Sequence, residues 1–569
     1  MNEPRSRTVA LVVALAAFAG YAPTFGHDWL ADWDDTQYVL DSPIIAKGDW
    51  DSVRHVCDPR ADRSRLGDEY LPVRDLVSIA LYKAFGTHAV GHRVALALLH
   101  AAASVLAYAL LRELGLGAWY RAAAALCYAV HPVHVESVAW VSSLKDVLAG
   151  TLFFASLALF ARSRRLGSRV ALAVAVALYP LAALSKSTAI VLPAIALAIE
   201  VFFPRRAARA WVAHVALGAA FAVLVAIAVG VGHRHGVVKE ILGGTREVAI
   251  PTATWVLLRY LGLCLLPVVQ QIPYPYAYES PYRWVVGWGA PRFLVAAGVL
   301  VPLALFAAGR AVAAWRRRRA GAALEPGPVN LAAFAVAWFF AGIAPVSNLV
   351  IPIPEILAER YLYLASFAGC LLVALPLELA RRPGVSRRAR VLALVLVASL
   401  LGFHGVRLLI RGADWCDSRT LWEATLDADP ANAKARFKLA YLFTEGVRRG
   451  MYAPRPGESA TSLRRAAIAH LADAVELDPA YASAHNNLAW LLFEDGRPGP
   501  AARHALRAFD LHPEVADFGD SLAAITDAAA ARLAAAGDLP AARALLESGL
   551  ARLPGNARLV RRVAAIGER

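Results

Sequence analysis

Eleven apolar stretches of near-membrane length, spaced along residues 8–410, constrain this chain more than any other feature of it. They fall at 8–25, 91–111, 118–134, 137–160, 170–184, 188–203, 210–231, 285–308, 329–345, 361–379 and 391–410. Crossing hydrocarbon takes about 20 apolar residues as helix, because every backbone N–H and C=O must be satisfied within the segment. Hydrophobic residues make up 58% of the 569 and charged residues 18%. A water-soluble domain carries about 45–50% apolar and about 25% charged residues, so a wholly soluble chain is excluded. The fold class expected is all-α: a polytopic membrane helical bundle followed by a soluble helical domain.

The formal charge of +15 has a location. Segments 1–7, 111–121, 161–169, 204–209, 310–319 and 381–390 hold 21 Arg, no Lys and 2 Glu. Short arginine-rich loops mark the cytoplasmic face, which puts the N-terminus inside. The opposite face then receives loop 26–90, with 12 acidic and 7 basic residues, and everything after residue 410. No nucleic-acid partner is needed to explain the charge. The run 251–269 is apolar enough to span, yet counting it would put the 316–319 cluster on the wrong side, and Arg259 lies near its middle. It is expected to re-enter or lie on the outer face, within a segment 233–284, as a wall of the active site.

Composition changes at Gly412, which divides a transmembrane domain, 1–411, from a second domain, 412–569. The second is Ala-rich, with interspersed charges and no membrane-length run. Asp429-Pro430, Asp478-Pro479, His512-Pro513 and Leu553-Pro554 punctuate it. Pro479 and Pro513 are 34 residues apart, the period of a tetratricopeptide repeat. Leu488, Ala489, Leu492, Ala501, Ala505 and Ala508 fall at that repeat's packing positions, where small side chains let paired helices approach. Roughly three to four repeats of an α-solenoid are expected, with an insertion around 449–462.

Several polar groups sit where chemistry is possible. Loop 26–90, the expected catalytic loop, opens with Asp32-Trp33-Asp34-Asp35, just after a span. One carboxylate of Asp34 and Asp35 can take a proton from a hydroxyl while its neighbour tunes or orients it; a solvated acidic loop is the bland alternative. His131, His134 and Glu136 follow within six residues. They could ligate a divalent metal, line a polar substrate pocket or cap helix ends. Lys145-Asp146 reads as an intramembrane ion pair, the kind that marks a functional cavity. Lys186 is a phosphate ligand or a snorkelling cation. Glu355 precedes Glu359-Arg360-Tyr361-Leu362-Tyr363, where Arg360 offers a planar fork to a phosphate and Glu359 would hold it. Tyr274, Tyr276, Tyr278 and Tyr282 suit an interfacial belt. Of the five cysteines, Cys127, Cys264 and Cys370 read as small hydrophobes, while Cys57 and Cys416 share a face and allow a disulfide.

Taken in order, Trp33-Asp34-Asp35, Tyr70-Leu71-Pro72-Val73-Arg74, His131 to Trp140 with Lys145-Asp146, Ser185-Lys186, Glu359 to Tyr363 and the repeats form a pattern. It resembles the transmembrane-and-tetratricopeptide-repeat O-mannosyltransferases and their bacterial relatives, in the C-type glycosyltransferase superfamily. The resemblance runs over nearly the whole chain. It implies inverting transfer of a sugar, typically mannose, from a polyprenyl-phosphate donor to a protein hydroxyl. Asp34 would be the base and Asp35 its orienting partner, in that order or the reverse. Arg360, then Lys186 and Arg259, would stabilise the leaving phosphate. His131, His134, Glu136, Lys145, Asp146, Glu359 and Tyr361 would line the substrate. No cofactor is required, since a monophosphate leaves; a divalent metal stays an alternative. Ser185-Lys186-Ser187 departs from the family's Ser-Lys-Glu, and the repeats are few.

The 59 basic residues include only 7 Lys, a bias of GC-rich bacterial genes. A multi-pass bacterial inner-membrane protein is therefore expected, with its repeats periplasmic or extracytoplasmic and its partners a lipid-linked donor, a protein or peptide acceptor and membrane lipid. Two other readings compete: a non-enzymatic membrane-anchored repeat scaffold, and a transporter of lipid-linked sugars, though no internal repeat of spans is visible.

Overall fold

The computed structural model describes residues 6–30, 32–63, 66–67, 69–203, 210–235, 244–270, 284–320, 327–353 and 355–567. The regular elements among them are all helical. They form two units, one reaching Gln270 and resuming over Trp284–Thr420, the other from Leu421 onward. The change of composition at Gly412 falls inside the helix Arg387–Asp414, nine residues before the second unit resumes at Leu421.

Among the described residues, eight helices of the first unit are long and apolar enough to cross a membrane: Ser6–Gly26, Ala89–Glu113, Val141–Leu166, Trp211–Val231, Arg246–Leu265, Pro291–Arg319, Pro328–Val346 and Arg387–Asp414. Glu359–Ala365 and Phe367–Ala380 make a further, broken one, bent by 53°. Three of the expected eleven fall short of a span. At 118–134 the helix Ala118–Ala129 stops before Pro132, which starts a 3-10 turn, Pro132–His134, because proline has no N–H to continue the ladder. The runs 170–184 and 188–203 fold as shorter helices, Arg169–Ala183 and Leu192–Phe202, joined by a 3-10 turn, Ser187–Val191.

The run 251–269, expected to re-enter or lie on the outer face, falls on the continuous 20-residue helix Arg246–Leu265, so the chain does not turn back within that helix. Pro251 inside it cannot donate to the Glu247 carbonyl, and the Gly287 N–H does so instead at 2.9 Å. This helix packs closely on Phe367–Ala380, where Gly369 meets the Cys264 backbone and a Cβ would overlap the Cys264 carbonyl. The rest of segment 233–284, including the tyrosines expected to form a belt, lies largely outside the described residues.

The second unit is a run of helices, each packed on the next: Ala433–Tyr441, Ala460–Leu477, Ala482–Glu494, Pro498–Leu511, Ala516–Ala535, Leu539–Arg552 and Ala557–Gly567. Leu488, Ala489, Leu492, Ala501, Ala505 and Ala508 are all buried between paired helices, as the repeat spacing predicts. Each proline marker follows the end of a helix: Ala428, Leu477, Leu511 and Arg552 are the last residues before them. The insertion is the turn-rich stretch before Ala460, with Gly450 and Gly457 at positive φ.

Candidate functional site

A cavity of about 410 Å³ opens in the first unit, walled by the loop after the first long helix, the start of Val141–Leu166 and the irregular chain before Glu359. Among the described residues three cations line it, Arg74, Lys145 and Arg360, against four carboxylates, Asp34, Glu69, Asp75 and Glu355. Arg74 is fixed by Asp75 and by the Leu66 carbonyl, each at 2.5 Å. Glu69 is pushed up by desolvation, but Lys145, Lys186, Arg74 and Arg360 outweigh this and hold its carboxyl below the usual range.

The two adjacent aspartates face different surroundings. Asp34 lies on the cavity wall. Asp35 is fully buried and accepts hydrogen bonds from Ser142 N at 2.9 Å, Ser142 Oγ at 2.5 Å and Leu30 N at 3.3 Å. Burial pushes its carboxyl up to about 6, against the pull of Ser142, Arg93 and the two amides. Trp33, next to the pair, packs edge-on against Trp140 at 5.0 Å and near Trp415 at 6.0 Å, which anchors the turn.

Arg360 is clamped by carboxylates, though not by the one expected. Glu136 accepts from the Arg360 amide at 2.9 Å and from its Nη1. Glu355 accepts from Nη2 at 2.6 Å. The guanidinium lies over Trp140 and Tyr361, 5.6 and 5.1 Å from their ring centres. Glu359 points elsewhere: it is fully buried, accepts from Gln270 Nε2 at 2.8 Å and sits 3.8 Å from Arg411. Its neighbour on the chain is therefore not its partner.

The same applies to Lys145-Asp146. Successive helical residues do not face each other, and Asp146 pairs instead with Lys186, both buried. Lys145 turns to the cavity. Lys186 is not on the cavity wall; it lies 5.6 Å from the ring of Tyr361, which is. Arg259 is half-buried on the helix Arg246–Leu265 and is also not on the wall.

His131 and His134 are fully buried. His131 Nδ1 accepts from Val133 N at 3.4 Å, so Nε2 carries the proton it donates to the Cys264 carbonyl at 3.1 Å. His134 Nε2 hydrogen-bonds Ser366 Oγ at 2.8 Å. Both rings hold helices together, while Glu136 holds Arg360. Among the described residues no three His, Cys, Asp or Glu side chains converge as metal ligands. Cys57 and Cys416 are not joined as a disulfide.

Sequence reasoning missed Ser142, Glu69, Gln270 and Arg411, since single polar residues outside any motif carry no local signal. Glu355 was legible as an acid near Arg360 but not as its partner.

Fold and site thus define a multi-pass helical membrane protein with a charged cavity and a helical-repeat unit. No protein-family model matches the chain. It is similar to the protein O-mannosyl-transferase Tmtc1 of Drosophila melanogaster, 40% identical over 90 residues, 16% of this chain and 10% of that protein. A protein O-mannosyl-transferase of Caenorhabditis elegans is 23% identical over 497 residues, 84% of this chain and 63% of that protein. In both cases the chain covers less than two thirds of the relative's length. Among solved structures, the oligosaccharyltransferase of Archaeoglobus fulgidus aligns over 82% of this chain and 64% of that one, at 12% identity and a TM-score of 0.38.

Proposed function

We propose that this protein is a membrane glycosyltransferase of the C-type superfamily, moving a sugar, mannose by family resemblance, from a polyprenyl-phosphate carrier to a protein hydroxyl on the outer face. The observation that carries this reading is that Asp34, Lys145 and Arg360 share one cavity, so a carboxylate base and cations for a leaving phosphate line the same space. The names of its relatives add to it.

In the proposed step, Asp34 takes the proton of the acceptor hydroxyl as its oxygen attacks the anomeric carbon. The bond from that carbon to the phosphate oxygen breaks, and its electron pair leaves on polyprenyl phosphate, with inversion. Arg360 and Lys145 meet the charge that develops there. Asp35 fixes the turn that carries Asp34, while Glu136 fixes Arg360. Tyr361 supports both Arg360 and Lys186, and Asp146 holds Lys186. His131, His134 and Glu359 shape the wall behind, and Arg259 falls outside the step. The repeat unit would gather the acceptor chain.

The test is transfer by purified full-length protein from polyprenyl-phosphate mannose to a peptide. Asp34→Asn is expected to abolish it without loss of expression. Sidedness is tested separately by labelling a cysteine placed at position 34: reaction from the cytoplasmic side alone would refute an outer-face reaction.

A further inference from the structure

Arg360 has two carboxylate partners of unlike character. Glu136 has a fully buried side chain and bonds both the backbone amide and the guanidinium of Arg360. The Glu355 side chain is 34% exposed, lines the cavity and meets Nη2 at 2.6 Å. The backbone is held at Ile353 and at Ala358, on either side of Glu355. Asn348, at a positive φ of 57°, accepts from Ile353 N at 2.8 Å, and the Tyr260 hydroxyl accepts from Ala358 N at 3.0 Å. A glutamate held this way can turn about its side-chain bonds while its backbone stays in place.

We propose that Glu355 is an exchangeable counter-ion: it holds Arg360 until a phosphate group takes its place, and it returns when that phosphate departs. The proposal rests on reading the cavity as a phosphate site. With Glu355 turned inward, the described lining carries four carboxylates against three cations, a poor reception for an anion. Turning it out evens the count. The free oxygen pair of a phosphate matches the planar guanidinium fork as a carboxylate does, and the phosphate monoester left after transfer carries more charge, so it competes well for Nη2. Glu136 is not exchangeable, because releasing it would strand a buried carboxylate and the Arg360 amide together. The return of Glu355 gives product phosphate a competitor inside the site.

The experiment measures binding of farnesyl phosphate, and separately of inorganic phosphate, to the purified full-length protein and to Glu355→Gln, Glu355→Ala and Arg360→Gln. Both Glu355 variants are expected to bind farnesyl phosphate about fivefold tighter or more, and Arg360→Gln about tenfold weaker. Tightening of both probes assigns the exchange to the phosphate group itself; tightening of farnesyl phosphate alone assigns it to a lipid-borne phosphate. Unchanged or weaker binding by the Glu355 variants, with Arg360→Gln still impaired, overturns the exchange and leaves the phosphate site standing. Binding that is indifferent to Arg360→Gln overturns the phosphate site and the exchange with it.

Discussion

Asp35 accepts hydrogen bonds from both the amide and the hydroxyl of Ser142, at 2.9 and 2.5 Å, and so ties the turn bearing Asp34 to the first residues of the helix Val141–Leu166. The neighbouring aspartate is left to face the cavity. Two like residues, adjacent in the chain, thus divide anchoring from exposure to the cavity.

That division sets unequal costs. Asp34→Asn is expected to abolish transfer. Ser142→Ala removes one hydrogen bond to a carboxylate, worth about 1.5–3 kcal/mol, and is expected to slow transfer by roughly tenfold or more while a threonine there restores part of it. Turnover of the purified variants checks both. Equal loss in Ser142→Ala and Asp34→Asn would contradict the division.

Asp35 also sets a pH dependence. Its carboxyl titrates near 6 in the folded protein against 3.8 ordinarily. The folded state therefore binds this proton more tightly, and the group contributes to stability as pH falls from above 6 toward 4, not as it rises. Activity runs the other way, because protonation weakens an acceptor of three donors. Turnover is expected to fall through an inflection near pH 6, and Asp35→Asn to lack that inflection. A pH–rate profile of the two proteins decides it.

Asp146 and Lys186 form a buried pair in the same unit. Removing one partner strands the other's charge, so Asp146→Asn and Lys186→Met are each expected to cost about 3–5 kcal/mol. The double variant Asp146→Leu with Lys186→Met should lose less than either single change. Thermal unfolding in detergent measures all three.

Gly369 sits where a methyl group would overlap the Cys264 carbonyl. Gly369→Ala is expected to force apart the helices Arg246–Leu265 and Phe367–Ala380, at about 1–3 kcal/mol, with a lowered unfolding temperature. Gly218→Ala, with open space around its Cβ position, is the neutral comparison.

Hydropathy carried most of the architecture, because spans need long apolar runs whatever they pack against. The second unit was legible for a similar reason: its 34-residue spacing repeats a local packing requirement, met by buried Ala501, Ala505 and Ala508. The breaks were harder. Pro132 halts one helix, yet Pro251 lies inside another, since the Gly287 amide serves the carbonyl it leaves bare, and that partner is 36 residues away from it. The site showed the same limit. Asp34, Lys145 and Arg360 were legible as residue types, but the pairings of Asp146 with Lys186 and of Arg360 with Glu136 join distant segments. Adjacency in the chain favoured the wrong partners both times, because neighbours on a helix point apart.

The interruption at His131-Pro132 exposes carbonyls that other segments must answer. His100 hydrogen-bonds the Ala129 carbonyl at 3.1 Å, and Gln270 donates to the Pro132 carbonyl at 3.2 Å. Gln270 also serves Glu359. Evolutionary drift at any one of these positions therefore leaves an orphan in another segment. Lineages that alter one should carry matching changes at the rest, so this seam is expected to be inherited as a block.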